Sequence, residues 1–377
     1  MKKRILSLVL ALFMLTAFAV PSLAAAVPDA TTSTPEEPYY GTALAELLAQ
    51  SVTIPADGTI DSETDWLIIA LAPDGINNPL TMDVQSDYQG YIEKCINAAG
   101  DKITLNDTVR WLLALRAVHG SAEQTIAVKI LLDSLEKWDF AAEVNTWGIA
   151  YALIVLDAYE IDNDELRGTL RGILAAAQHA DGGYNYLLKI DPANEYSKDS
   201  DPDSTAAVLT ALAPYKSNAE IAPVVQRGLA YLKSVQLQSG GYGMFGESAD
   251  SAAQVIIALC ALGIDPLGAD AKNESDKTPV DSMQSFRLAD HSVKGYDGKA
   301  NAMSGYQVLL ALKAMERYDD PRYSADQSGV FVSSGQNPAS DAAVASWVLV
   351  LIIGGGIVVL AGIIVLAAVI SRRKKHA

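Results

Sequence analysis

The chain has 377 residues, half of them hydrophobic, and a formal charge of −17, so it can bury a large core and would be repelled by nucleic acid. Its two cysteines and four histidines never fall at ligand spacing, which leaves no zinc site to expect and no metal or cofactor. Cys95 and Cys260, far apart inside apolar helical patterns, read as small buried side chains, with one disulfide as the alternative in an oxidising exterior.

In chain order, Met1-Lys2-Lys3-Arg4, the apolar run Ile5 to Val20 and the small residues up to Ala26 form a signal peptide over 1–26. Residues 27–40, rich in Thr, Pro and Glu, are a linker. A domain over 41–323 follows, then a flexible stalk over 324–341 rich in Ser, Gly and Asp. Residues 342–371 are uncharged and long enough to cross a bilayer as a helix. Arg372-Arg373-Lys374-Lys375 open a basic tail, 372–377, that is kept in the cytoplasm. The expectation is an exported protein, single-pass in the cell membrane, with its domain outside.

Six ten-residue segments align without a gap and end in Ala-Leu: from Ser62, Asn106, Val144, Asp203, Asp250 and Met303. Apolar residues recur within them at helical spacing, and most begin with Ser, Asn or Asp, the residues that cap helix starts. A second, more charged helical pattern lies between copies: Tyr91 to Ala99, Ala127 to Trp138, Glu165 to Gln178, Val224 to Val235 and Val280 to Leu288. Thr42 to Ala49 precedes the first copy. Twelve helices in six pairs predict an all-α (α/α)6 toroid of six helical hairpins plus one C-terminal transmembrane helix, the apolar set inside and the charged set outside. An open solenoid is the alternative.

Two turns pair a Gln with Gly-Gly-aromatic: Gln178-His179-Ala180-Asp181-Gly182-Gly183-Tyr184 and Gln236-Leu237-Gln238-Ser239-Gly240-Gly241-Tyr242. With the Asp203-Ser204-Thr205-Ala206 and Asp250-Ser251-Ala252-Ala253 helix starts, they resemble the repeats of the terpenoid cyclase and protein prenyltransferase superfamily, in its bacterial surface-protein branch. The toroid domain of vitamin B12 carriers is a more distant resemblance. Glycine suits such turns because it takes positive φ, and the aromatic then packs underneath. Gln336 to Asp341, ahead of the apolar span, resembles a sortase sorting signal that lacks its Thr-Gly pair, so wall attachment through a degenerate signal is an alternative to simple membrane tethering.

Asp201-Pro202-Asp203-Ser204-Thr205-Ala206 resembles the class II cyclase motif, which implies Asp203 as a proton donor and Asp201 as its neighbour. Ser204 stands where that motif carries a second adjacent acid, and the competing reading makes Asp203 an N-cap, as Asp250 would be in the next copy. The B12-carrier resemblance implies binding without chemistry, with Trp66, Trp111, Trp147, Tyr184, Tyr242, Phe245 and Tyr306 as ligand contacts and Tyr184 and Tyr242 foremost because they lie in loops. The expected partners are a small hydrophobic or corrinoid-type ligand, or a surface protein, besides the membrane through the C-terminal helix. The function expected is a membrane-tethered extracellular module that binds without catalysis, the alternatives being a squalene-type cyclase and an adhesion or spacer module.

Overall fold

A computed structural model describes residues 37–71, 82–119 and 125–319. The signal peptide, the linker up to residue 36, the stalk, the membrane span and the basic tail lie outside these residues. The chain divides into two units, Met1–Tyr40 and Gly41–Ala377, and the second carries the architecture described below.

Twelve α-helices occur among the described residues: α1 Glu37–Ala49, α2 Ser62–Leu71, α3 Met82–Ala99, α4 Leu105–His119, α5 Ile126–Glu136, α6 Thr146–Ala158, α7 Asp164–Ala177, α8 Pro202–Leu212, α9 Ala222–Val235, α10 Ala249–Ala261, α11 Pro279–Gln284 and α12 Ala302–Asp319. Each contains or overlaps a segment read from the sequence. Five isolated bridges replace strands in the loops.

The even-numbered helices form the inner layer. α2, α4, α6, α8, α10 and α12 each pack on the next, and α12 packs back on α2, so the ring is closed. A helix with inner neighbours on both sides and a partner outside is buried on every face, and α6, α8 and α10 accordingly bury nearly all their residues. The odd-numbered helices need only one apolar stripe. α7 buries Leu170 and Leu174 among charged neighbours, and α9 buries Val224, Val225, Gly228, Tyr231 and Leu232.

Both Gln-Gly-Gly-aromatic turns close an outer helix in the same way. Gln178 follows α7, and its side-chain amide donates to Gly182 O at 2.8 Å and to Val224 O on the neighbouring α9 at 2.9 Å. Gln236 follows α9 and donates to Gly240 O and Ala271 O, both at 3.0 Å. One side chain thus ties its own turn to the next pair. Gly182 (φ +91°) and Gly240 (φ +92°) lie in the left-handed region, and a Cβ on either would collide with a backbone carbonyl, that of Arg227 or of Thr278.

The expected helix from Val280 to Leu288 ends early, at Gln284, because a third copy of this turn begins at Arg287. Leu288 N donates to Ser292 O and His291 N to Leu288 O, as Leu237 and Gly240 do in the second copy. His291, at φ +70°, occupies the glycine position. Arg287-Leu288-Ala289-Asp290-His291-Ser292-Val293 has lost the Gln, both glycines and the aromatic. Its backbone nevertheless keeps the turn. Cys95 and Cys260 are buried and unpaired.

Candidate functional site

Each inner helix starts on a capping side chain. Asp61, Thr104, Asn145, Asp201, Ser248 and Asn301 accept first-turn N–H groups, from Thr64, Asp107, Gly148, Ser204, Ser251 and Ser304 respectively. Counting from these caps corrects the sequence alignment. The third copy is out by three residues and the first by one. Three residues are almost one helical turn, so the apolar pattern survived the shift and concealed it.

Asp203 is not the cap of α8, as the capping interpretation had it. Asp201 is, with extended backbone (φ −122°, ψ 148°) and its Oδ1 accepting from Ser204 N at 2.6 Å, because Pro202 lacks an N–H and takes the first helical position. Ser248, not Asp250, caps α10, its hydroxyl accepting from Ser251 N at 3.1 Å. Asp203 and Asp250 stand at the second helical position and are released from capping.

A cavity of about 360 Å³ opens at this end of the ring. Its outer layer is the second position of five inner helices: Asn106, Trp147, Asp203, Asp250 and Met303. One turn deeper come Trp66, Val109, Arg110, Tyr151, Gln254, Tyr306 and Gln307, and Tyr186 and Tyr296 join from loops. All six inner helices contribute. Trp66 stacks on Tyr306 (6.3 Å, 14°) and meets Tyr151 across the axis (5.4 Å), and Tyr151 meets Trp147 at 5.7 Å. α2 and α6 are separated in the ring by α4, so the Trp66–Tyr151 contact floors the cavity. Trp147 Nε1 donates to Ser204 Oγ at 2.9 Å, and Gln254 Nε2 to Gln307 Oε1 at 2.5 Å, so three wall side chains are held by neighbours on adjacent helices.

Arg110 is the basic residue of the lining, and its charge is already met. Its Nε donates to Asp65 Oδ2 and its Nη2 to Asp107 Oδ1, both at 2.7 Å. Asp65, fully buried, also accepts from Tyr88 Oη at 2.7 Å and Trp111 Nε1 at 3.1 Å. Burial pushes the Asp65 carboxyl up, against the pull of Arg110, Tyr88 and Trp111.

The two released acids have no such company. Burial raises Asp203 to about 7, with Asp201 and Asp250 nearby adding to the rise and the Ser251 hydroxyl opposing it. Asp250 is raised by burial too, opposed by Ser304. The Oδ1 atom of each is buried without a hydrogen-bond partner. Two carboxyls of elevated pKa, an aromatic wall and three side-chain amides can hydrogen-bond a small ligand, and Asp203 can deliver or receive a proton near neutral pH.

Among the ligand contacts read from the sequence, Trp66, Trp147 and Tyr306 line the cavity. Trp111, Tyr184 and Tyr242 do not. Trp111 faces away from the axis onto Asp65, while Tyr184 and Tyr242 are buried under their turns because the residue after Gly-Gly pairs with the next cap region, Tyr184 with Asp201 and Tyr242 with Ser248. Lying in a loop did not mean lying open. Phe245 is 80% exposed and stacks on Tyr196 outside the cavity lining. Asp201, expected beside a proton donor, is spent on its cap. Sequence reasoning missed Asn106, Val109, Arg110, Tyr151, Tyr186, Asp250, Gln254, Tyr296, Met303 and Gln307. Asn106, Asp250 and Met303 stand in the register of Asp203, Val109 in that of Trp66, and Arg110, Tyr151, Gln254 and Gln307 share a register one residue further on, a signal readable once the copies are aligned by their caps. Among the described residues no His, Cys, Asp and Glu cluster could hold a metal ion.

No family model and no curated protein matches the sequence. Solved structures do. An α-1,6-mannanase from Salegentibacter sp. HEL1_6 matches at TM-score 0.53 and 10% identity, over 74% of this chain and 100% of that one. An unsaturated glucuronyl hydrolase from Streptococcus agalactiae matches at 0.53 and 9%, over 75% and 93%. An ent-copalyl diphosphate synthase from Streptomyces platensis matches at 0.47 and 17%, over 68% of this chain and half of its own length. At these identities the first two likenesses speak to fold alone, and with the closed inner ring they define an α/α-toroid protein.

Proposed function

We propose that the toroid is a small-ligand-binding module and that its site is the mouth formed by the first two turns of the inner helices. The observation that supports it is the convergence of all six inner helices on one floored cavity that combines aromatic rings, side-chain amides and two carboxyls, each with one oxygen left without a partner. Export, with the domain held outside the cell by a C-terminal membrane helix, belongs to the same proposal and rests on the terminal sequence patterns. A corrinoid-type ligand and a protein partner remain within it, the protein docking on the exposed rim rather than in the cavity.

Native mass spectrometry of the full chain, incubated with host-cell extract, tests the binding. The expected result is a discrete added mass that is lost in Trp66→Ala. A clean unliganded mass from every extract, with folding verified by circular dichroism, would overturn it.

A second reading is favoured by one specific observation. Asp203 faces the cavity with its pKa pushed up to about 7, so it holds a proton in mildly acidic conditions, as an acid catalyst of the cyclase or glycosidase kind must. Turnover of a polyprenyl or glycoside substrate that disappears in Asp203→Asn would establish that reading over simple binding.

A further inference from the structure

Three features bear on what the cavity accepts. Asp203 and Asp250 present buried Oδ1 atoms that nothing in the protein satisfies, and such atoms cost free energy until a ligand meets them. Arg110, the basic residue of the lining, is engaged by Asp65 and Asp107 and does not neutralise them. The rings of Trp66, Trp147, Tyr151 and Tyr306 are stacked or tilted against one another across the floor of the cavity, and ring faces attract positive charge.

We propose that the ligand is an organic cation, an ammonium group on an apolar body, seated between the Asp203 and Asp250 carboxylates and the aromatic wall; this rests on the mouth cavity being the binding site. The positive ends of six helix dipoles point at the same mouth and oppose a cation, but first-turn acids not paired with Arg110 offset them in part: Glu63 on α2, Asp203 on α8 and Asp250 on α10. Asp201, at the cap two residues before Asp203, adds a further nearby carboxyl. The chain's overall charge of −17 draws cations toward it at long range.

The experiment compares choline with its uncharged isostere 3,3-dimethylbutan-1-ol by isothermal titration calorimetry on the full chain. At pH 8 choline is expected to bind at least tenfold more tightly. The preference should shrink at pH 5.5, where Asp203 is protonated, and vanish in the Asp203→Asn, Asp250→Asn double variant, whose folding is checked by its melting curve. Equal affinities at pH 8 would overturn the cation and leave an apolar pocket. If neither compound binds while the chain still retains a mass from host extract, the cation inference fails and the binding function stands. If no mass is retained either, both fail.

Discussion

Asp201 and Asp203 are two residues apart in one motif and burial raises both carboxyls, yet they do opposite things to stability. Asp201 accepts a first-turn N–H, and losing it should cost about 1–2 kcal/mol, the usual value of a cap. Asp203 does the reverse. Its folded pKa lies above its ordinary value of 3.8, so between that value and about 7 the folded chain keeps a proton that the unfolded chain has released. Stability therefore falls as pH rises through that window. Urea denaturation should show Asp203→Asn gaining roughly 1–3 kcal/mol at pH 8 and almost nothing at pH 4, while Asp201→Ala loses stability at both. A site that destabilises its own fold is the expected signature of a functional residue. Identical losses from the two substitutions at pH 8 would return Asp203 to a structural role.

At the scale of the element, the turn that follows α7, α9 and α11 is where sequence and backbone part company. In the first two copies the residues announce the turn, since Gly182 and Gly240 take a backbone that leaves no room for a Cβ. Gly240→Ala should destabilise by about 3 kcal/mol or more, seen as a shift in the denaturation midpoint. The third copy holds the same geometry with His291, whose left-handed backbone is offset by its contact with Arg287 Nη2 at 2.9 Å. His291→Gly should therefore change stability by less than about 1 kcal/mol, because relief of the backbone is set against that lost contact and glycine's greater freedom when unfolded. The contrast explains why motif matching found two turns where the structure has three. Once neighbouring helices hold a turn, its own residues are free to diverge.

For the whole molecule, closure distinguishes a ring from a stack. In an open solenoid each pair contacts only its neighbours, and an end pair can be removed at modest cost. Here α12 packs on both α10 and α2, and Lys313 Nζ donates to Ala70 O across the seam at 2.5 Å. Internal deletion of Ala302–Asp319 should abolish cooperative thermal unfolding of the whole domain, measured by circular dichroism. A variant that melts with the same midpoint and proportionally smaller amplitude would contradict a closed ring. Deletion would also remove Met303, Tyr306 and Gln307 from the cavity wall, so ligand retention should be lost together with the cooperative transition.

The sequence alone determined the twelve helices, the division into an apolar and a charged set, and two of the turns, because helix periodicity, caps and glycine act within a few residues of each other. It also placed Asp203, Trp66, Trp147 and Tyr306 among the residues of interest. What it left open was the rotation of each inner helix about its own axis. Trp111 and Arg110, adjacent on α4, both donate to Asp65 on α2, yet only Arg110 lines the cavity while Trp111 is fully buried. Whether Asp203 caps or faces the cavity depends on Asp201 and Pro202 taking the earlier positions, and its raised pKa depends in part on Asp250 on α10. Those facts belong to the tertiary structure, since they are set by packing between segments that local periodicity cannot relate.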